Sequence, residues 1–141
     1  MGLLQNFSKP RGFFGRVISL LMNYGEHAKL GRWGMSFVEL PIQADILDLG
    51  CGGGGNLERW LECYPDAHVS GIDHSPVSVS IAKGWNEKAI AQDRCEVILS
   101  SVYKLPFRDE SFDAISSFES IYFWKNMDKA LAEAYRVLKP G

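Results

Sequence analysis

A glycine-rich segment after a short apolar run constrains the fold of this chain more than any other feature. Residues 46–49 (ILDL) are followed by residues 50–55 (GCGGGG) and then by the first residues of a helical pattern at Asn56. Glycine adopts positive φ at little cost and, because it has no Cβ, lets the backbone approach a bound ligand closely. The order of strand, glycine turn and helix predicts an α/β fold with a ligand site at the turn.

An acidic residue follows the glycine turn at a characteristic distance. Asp73 ends the second predicted strand, nineteen residues after Gly54. A carboxylate at the end of that strand can accept hydrogen bonds from both hydroxyls of a ribose. The turn and Asp73 together predict a site for a nucleotide-containing cofactor, although the glycines also suit a tight strand-to-helix turn that binds nothing.

The rest of the chain alternates short apolar runs with amphipathic stretches. Strands are predicted over residues 44–49, 69–72, 95–99 and 112–118, and helices over residues 13–24, 27–39, 56–63, 76–90 and 127–138. Ser75-Pro76 is a helix start, because the hydroxyl can cap the helix and proline needs no amide hydrogen in its first turn. Strands that alternate with helices predict a parallel sheet with right-handed crossovers, which is an α/β architecture.

Composition and charge narrow the class of protein. The chain has 141 residues, 46% of them hydrophobic, and a net charge of −2, which describes one domain with no long-range attraction for nucleic acid. No apolar run near the start reaches the roughly 20 residues of a membrane span. The three cysteines are far apart and form no Cys-x-x-Cys pair, so no metal site is predicted and we expect a cytoplasmic protein.

Asp48 distinguishes between two classes of cofactor. Gly50, Gly52 and Gly55 satisfy the Gly-x-Gly-x-x-Gly pattern of nicotinamide-dependent dehydrogenases. A carboxylate two residues before the first glycine instead suits a cationic amino acid moiety and is poorly placed for a pyrophosphate. The resulting Asp-x-Gly-x-Gly-x-Gly sequence resembles the first motif of class I S-adenosylmethionine-dependent methyltransferases. Its residues are Asp48, Gly50, Gly52 and Gly54.

Further motifs extend this resemblance over nearly the whole chain from residue 44. They are VSGIDHSP at 69–76, LPF at 105–107, SFD at 111–113 and RVLKPG at 136–141. The chain is most similar to small-molecule methyltransferases of the ubiquinone and menaquinone biosynthesis type. The resemblance implies a three-layer, Rossmann-like, doubly wound sheet of seven strands, of which this chain would contain strands one to four. We expect an N-terminal helical lid over residues 1–43, a cofactor-binding core over 44–141, and a C-terminal truncation.

The resemblance also implies roles for individual residues in binding S-adenosylmethionine. The glycines pass beneath its methionine part, Asp48 fixes the turn and the amino group, and Asp73 takes the ribose hydroxyls. His74 either stacks on the adenine or is a loop residue without a role. Ser101 stands where the family commonly has an aspartate that accepts from the adenine amino group, so a neutral hydroxyl replaces a carboxylate. The expected cofactor-binding residues are Asp48, Gly50, Cys51, Gly52, Gly54, Asp73, His74, Ser101, Val102 and Phe118.

The segment after the fourth strand is expected to line the methyl-transfer site. It reads FESIYFW at 118–124, and these aromatic residues either attract the sulfonium and exclude water or simply cover the edge of the sheet. Methyl transfer needs no base in itself, but an acceptor carbon or phenol must lose a proton. Glu119 is the expected catalytic residue for that step, and further candidates are Tyr24, Glu26 and His27.

These patterns favour a methyltransferase that acts on a small-molecule acceptor. Two other classes are a cofactor-binding module without catalysis and, on the looser glycine match alone, a nicotinamide-dependent dehydrogenase. With strand four as the last strand, one apolar edge of the sheet would stay unpaired. Such an edge predicts that copies of the chain associate through it.

Overall fold

Four parallel strands form the centre of the structure, a computed structural model that describes residues 12–141 apart from the side chain of Phe14. The strands are β1 (Asp45–Leu49), β2 (His68–Asp73), β3 (Cys95–Leu99) and β4 (Ala114–Ser116), in the spatial order β3-β2-β1-β4. All three pairings are parallel. The order reverses direction between β1 and β4, which is the position where ligands bind in open α/β sheets.

Six helices of the described residues surround this sheet. They are α1 (Gly12–Leu21), α2 (Glu26–Met35), α3 (Gly55–Cys63), α4 (Pro76–Trp85), α5 (Glu87–Ala91) and α6 (Met127–Val137). As predicted, the Ser75 hydroxyl caps α4, accepting from the Ser78 amide at 3.3 Å. The single helix predicted over 76–90 is divided at Asn86, whose side-chain amide donates to the carbonyls of Gly54 and Ala82, both at 3.0 Å.

Alternate residues of the strands face two different layers, because successive side chains of a strand point to opposite sides. On one side, the strand residues Ile46, Val69 and Val97 share a core with residues of α3 and α4, which are Leu57, Trp60, Val79 and Ala82. On the other side, the strand residues Leu47, Leu49 and Ile72 share a core with Leu105 and Phe112 of the segment between β3 and β4 and with Val137 of α6. Burial of both faces confirms the three-layer α/β architecture.

The fourth strand is shorter than the predicted range 112–118. Phe112 bridges to Leu138 instead, and its carbonyl accepts from the Lys139 amide at 2.8 Å. After Ser116 the chain turns away, since the Ser120 hydroxyl donates to the Leu49 carbonyl at 3.0 Å and lies 2.6 Å from the Ser117 hydroxyl. The prediction was wrong at both ends because it followed apolar character alone, whereas these hydrogen bonds decide where β4 begins and ends.

The N-terminal segment was predicted as a lid over residues 1–43, of which 1–11 lie outside the described residues.

Within residues 12–141, no helix is long and apolar enough to cross a membrane. In the same range, no group of three or more His, Cys, Asp or Glu residues is placed to hold a metal ion.

Candidate functional site

A cavity of about 390 Å³ lies at the carboxyl ends of β1, β2 and β4. The glycine turn, the end of β2, the segments after β3 and β4, and helix α1 all contribute to its wall. The lining residues that matter most are Ser19, Gly52, Asp73, Ser78, Phe118 and Glu119. The volume is in the range of small-molecule sites, and the position is the one that the strand order predicts.

Three glycines of the turn have positive φ: Gly50 at 73°, Gly52 at 53° and Gly54 at 84°. A Cβ on Gly50 would lie 2.6 Å from the Ser120 hydroxyl, and one on Gly54 would lie 2.8 Å from the Ala82 Cα. A Cβ on Gly52 would meet nothing within 4 Å, because Gly52 lines the cavity. Gly50 and Gly54 are therefore needed for packing, whereas Gly52 keeps open a space that a ligand can fill.

Asp73 joins the end of β2 to the glycine turn. Its Oδ2 accepts from the Gly52 amide at 3.0 Å and its Oδ1 accepts from the Ser75 amide at 2.8 Å. Burial raises the pKa of Asp73, while the amide hydrogen bonds from Ser75 and Gly52 and the nearby His74 ring oppose that rise. A carboxylate offers about four lone-pair sites, so Asp73 can hold the turn and still accept from a ligand in the cavity.

Three residues expected to touch the cofactor lie behind the cavity wall. Asp48 is fully buried, and its Oδ1 accepts from the Ser116 hydroxyl at 2.6 Å, which itself accepts from Trp60 Nε1 at 3.0 Å. Burial raises the pKa of Asp48 to about 7. Cys51 is buried too, and Gly54 packs on α4. None of the three belongs to the cavity lining, and their contact with the cofactor stays a prediction.

The remaining expected residues do line the cavity. His74 is half exposed, with Nδ1 3.6 Å from Asp73 Oδ1. Ser101 and Val102 lie on the wall after β3, and the Ser101 hydroxyl accepts from the Tyr103 amide at 3.2 Å. Phe118 is held against α2, where a Cβ on Gly34 would lie 2.8 Å from its ring.

Asn23, between α1 and α2, is a residue of the site that the sequence patterns did not reveal. It is buried, its Nδ2 donates to the Gly53 carbonyl and its Oδ1 accepts from the Gly55 amide, both at 3.0 Å. The guanidinium of buried Arg59 donates to the Asn23 carbonyl and to Asn56 Oδ1. The N-terminal segment is thereby fixed on the glycine turn. No pattern signals this, since the partners of Asn23 are backbone groups about 30 residues away.

We expect Asn23→Ala to lower the free energy of unfolding by about 3 kcal/mol, because it leaves two buried backbone groups unpaired. Urea denaturation measures this loss. The matched control is Asn126→Ala, which removes an exposed cap at the start of α6 and costs about 1 kcal/mol. Equal losses in the two variants would contradict the assigned role of Asn23.

Two buried hydroxyls on the cavity wall have no hydrogen-bond partner among the described residues. They belong to Ser19 on α1 and Ser78 on α4. A buried polar group without a partner is costly, but both residues are only 1% exposed and their oxygens are closed off from the cavity. The groups that the cavity offers to a ligand are therefore the carboxylate of Asp73 and the open space at Gly52, which suit a ligand with hydroxyl groups.

The sequence of this chain is similar to the sequences of known proteins. A family model described as "Methyltransferase domain" matches residues 47–141. 24-Methylenesterol C-methyltransferase 2 of Arabidopsis thaliana is 40% identical over 107 residues, covering 76% of this chain and 29% of the relative. Erythromycin 3''-O-methyltransferase of Saccharopolyspora erythraea is 36% identical over 97 residues, covering 69% of this chain and 32% of the relative. This chain thus spans about a third or less of the length of these relatives.

Solved structures share the fold. The [4+2]-cyclase SpnF superposes with a TM-score of 0.74 at 29% identity, covering 82% of this chain and 42% of that chain. A SAM-dependent methyltransferase from Aquifex aeolicus has a TM-score of 0.76 at 23% identity, covering 89% and 68%. The family match covers more than half of this chain and includes the glycine turn and Asp73. The chain therefore belongs to the methyltransferase domain family, within the class I S-adenosylmethionine-dependent methyltransferases.

Proposed function

We propose that this chain binds S-adenosylmethionine in the cavity and acts in methyl transfer to a small-molecule acceptor. The observation that carries the proposal is the open space at Gly52 beside the carboxylate of Asp73. When bound, this cofactor supplies an electrophilic methyl group on a sulfonium.

Each part of the cavity wall then has a binding role. Asp73 accepts from the ribose hydroxyls, and the backbone at Gly52 supports the methionine part. His74, Ser101 and Val102 flank the adenine on the side of β3, where all three line the cavity. Asp48 acts from behind the wall by holding β1, β4 and α3 together through Ser116 and Trp60.

The acceptor is expected to have a large apolar part. Met22, Phe118, Phe123 and Trp124 line the cavity, so much of the wall near Glu119 is apolar. Apolar walls exclude water from the transfer step and favour an in-line approach of the acceptor. The names of two relatives, a sterol C-methyltransferase and an erythromycin O-methyltransferase, support an acceptor of this kind.

We expect Gly52→Ala to weaken the binding of S-adenosylhomocysteine about 100-fold, because the new methyl group occupies the space of the ligand. The folded chain tolerates the change at a cost of about 1–2 kcal/mol for the positive φ. Isothermal titration calorimetry measures the affinity. The control is Gly84→Ala, which adds a methyl group in open surroundings outside the cavity wall. If both variants bind equally well, the ligand does not lie over Gly52.

A second candidate function is a small-molecule site that transfers no methyl group. The observation that favours it is the name of SpnF, a cyclase, on a structure with a TM-score of 0.74. Incubation with methyl-labelled S-adenosylmethionine and a panel of sterols, macrolide glycosides and phenols decides between the two. Label in an acceptor supports methyl transfer, whereas binding of the cofactor with label in none of them favours the second function. Saturable binding of NAD would contradict both.

Two features support further parts of the proposal. Among the described strands, β4 pairs only with β1, so its other edge can pair with a second copy of the chain. The net charge of −2 gives no long-range attraction for nucleic acid, which supports an enzyme that works without it, and a location in the cytoplasm stays a prediction. Light scattering of the purified protein measures whether two copies of the chain associate.

A further inference from the structure

Two residues far apart in the chain meet beside the cavity. His27 on α2 contacts the carboxylate of Glu119 after β4, and the contact joins His27 Nδ1 to Glu119 Oε2. The same two segments also meet at Gly34 and Phe118. Helix α2 is therefore fixed over the segment that follows β4 at two points, one polar and one apolar.

Glu119 has an unusual backbone conformation for its residue type. Its φ is 54°, in the left-handed region that costs an L-residue about 1–2 kcal/mol. The neighbouring hydrogen bonds hold it there, because the Ser120 hydroxyl donates to the Leu49 carbonyl at 3.0 Å. Strain of this kind persists where the surroundings fix it, and it is common at functional sites. In this backbone conformation the Glu119 residue lines the cavity.

We propose that His27 positions Glu119 as the proton acceptor for a methyl acceptor that carries a hydroxyl group. This inference rests on the proposed function. In this arrangement the Nδ1–H of His27 donates to Glu119 Oε2 and leaves Oε1 of the same carboxylate for the acceptor. Glu119 is the catalytic residue because it reaches the cavity. His27 is a positioning residue, since it does not belong to the cavity wall.

The step balances without any further reagent. The acceptor hydroxyl gives its proton to Glu119, which becomes a neutral carboxylic acid, and the acceptor oxygen forms a bond to the methyl carbon. The bond from that carbon to sulfur breaks, and its electron pair stays on sulfur as a neutral thioether. An alcohol or phenol needs such a proton acceptor, whereas a neutral amine attacks through its lone pair without one.

Other ionisable groups surround the pair. Tyr122, on the 3-10 turn Ile121–Phe123, faces Glu119, and burial together with the negative charge of Glu119 raises the pKa of that phenol. Asp73, His74 and Lys125 line the same cavity. Variants are therefore compared at a single pH, and the ring of His27 serves as a direct probe of the contact.

The first test is the tautomer of His27 by ¹⁵N NMR. The protein has three histidines, so loss of one ring signal in His27→Asn assigns it. We expect the Nδ1–H tautomer in the native protein and a shift towards the Nε2–H tautomer in Glu119→Ala. An Nε2–H tautomer in the native protein, or a ring spectrum that Glu119→Ala leaves unchanged, would overturn the proposal. This measurement does not depend on activity.

The second test follows turnover in variants with a label assay. Glu119→Gln should lower kcat about 100-fold, with KM and the affinity for S-adenosylhomocysteine within threefold. His27→Phe should lower kcat about 20-fold, whereas His27→Asn, whose amide N–H can replace Nδ1–H, should stay within fivefold of the native enzyme. The control Glu62→Gln removes an exposed carboxylate that pairs with Arg32, and it should change nothing. Equal kcat values in His27→Phe and His27→Asn would overturn the positioning role.

The class of acceptor is tested with matched probes. Phenol is paired with aniline, and cyclohexanol with cyclohexylamine, each with methyl-labelled S-adenosylmethionine. Label in the hydroxyl members that Glu119→Gln strongly reduces supports the proposal, whereas label in them at a rate that Glu119→Gln leaves unchanged, or label in the amines alone, overturns it. If no acceptor of any kind receives label while the cofactor binds, the proposed function fails, and the tautomer of His27 still decides whether the pair exists.

Discussion

Replacing Asp73 by alanine is expected to weaken the binding of S-adenosylhomocysteine about 1000-fold. Hydrogen bonds to a charged group are worth about 1.5–3 kcal/mol each, and the ribose offers two hydroxyls to this carboxylate. The substitution also frees the Gly52 amide, which Asp73 Oδ2 holds at 3.0 Å, so the glycine turn loses its attachment to β2. Isothermal titration calorimetry at neutral pH measures the change in affinity.

A second aspartate provides the control for this variant. Asp113 lies just before β4, at the opposite end of the sheet, and its Oδ2 accepts from the Asp45 amide at 2.8 Å and from Lys139 Nζ at 2.9 Å. Asp113→Ala therefore also removes a carboxylate that holds a backbone amide, and it should lower stability while leaving the affinity within threefold. Binding by Asp73→Ala with the native affinity would show that the ribose lies elsewhere.

Replacing Asp48 by asparagine is expected to change how stability depends on pH. In the folded protein burial raises the pKa of Asp48 to about 7, far above the ordinary value of an aspartate. Between about pH 4 and pH 7 the folded protein therefore binds this proton more readily than the unfolded chain does. The native free energy of unfolding falls as pH rises through that window, by up to about 4 kcal/mol from this group.

Asparagine removes this dependence and can still accept from the Ser116 hydroxyl. Other acids act in the opposite direction, because the Arg136 side chain beside Glu133 lowers the pKa of that carboxyl to about 2, and its contribution is lost as pH falls. The informative quantity is hence the difference between Asp48→Asn and the native protein, measured by urea denaturation from pH 4 to pH 8. It should grow with pH in favour of the variant. A constant difference would contradict a buried, protonatable Asp48.

Local sequence patterns were sufficient to predict the backbone elements that form the site. The strand, glycine turn, helix and Asp73 are each encoded within a few residues, and the structure places Gly52 and Asp73 together on the cavity wall. The sequence did not reveal whether each side chain faces the cavity or the helices behind it. Asp48 lies on the same side of β1 as Ile46, so its carboxylate points to the layer of α3 and away from the ligand space.

Contacts over long sequence distances were beyond these patterns. Asn23 recognises backbone atoms of the glycine turn, and no side-chain motif records such a partner. His27 and Glu119 were each candidates by position, but their contact spans 92 residues and depends on how α2 packs on the segment after β4. The division of the helix at Asn86 has the same origin, because the carbonyl of Gly54 is one of its partners.

The central claim is that the cavity at the ends of β1, β2 and β4 is the cofactor site. A crystal structure of the protein with S-adenosylhomocysteine tests it most directly. We predict both ribose hydroxyls within hydrogen-bond distance of the Asp73 carboxylate, the amino acid part over Gly52, and the sulfur directed towards Phe118 and Glu119. Ordered ligand bound at any other place, with the Asp73 carboxylate facing only protein atoms, would contradict the account.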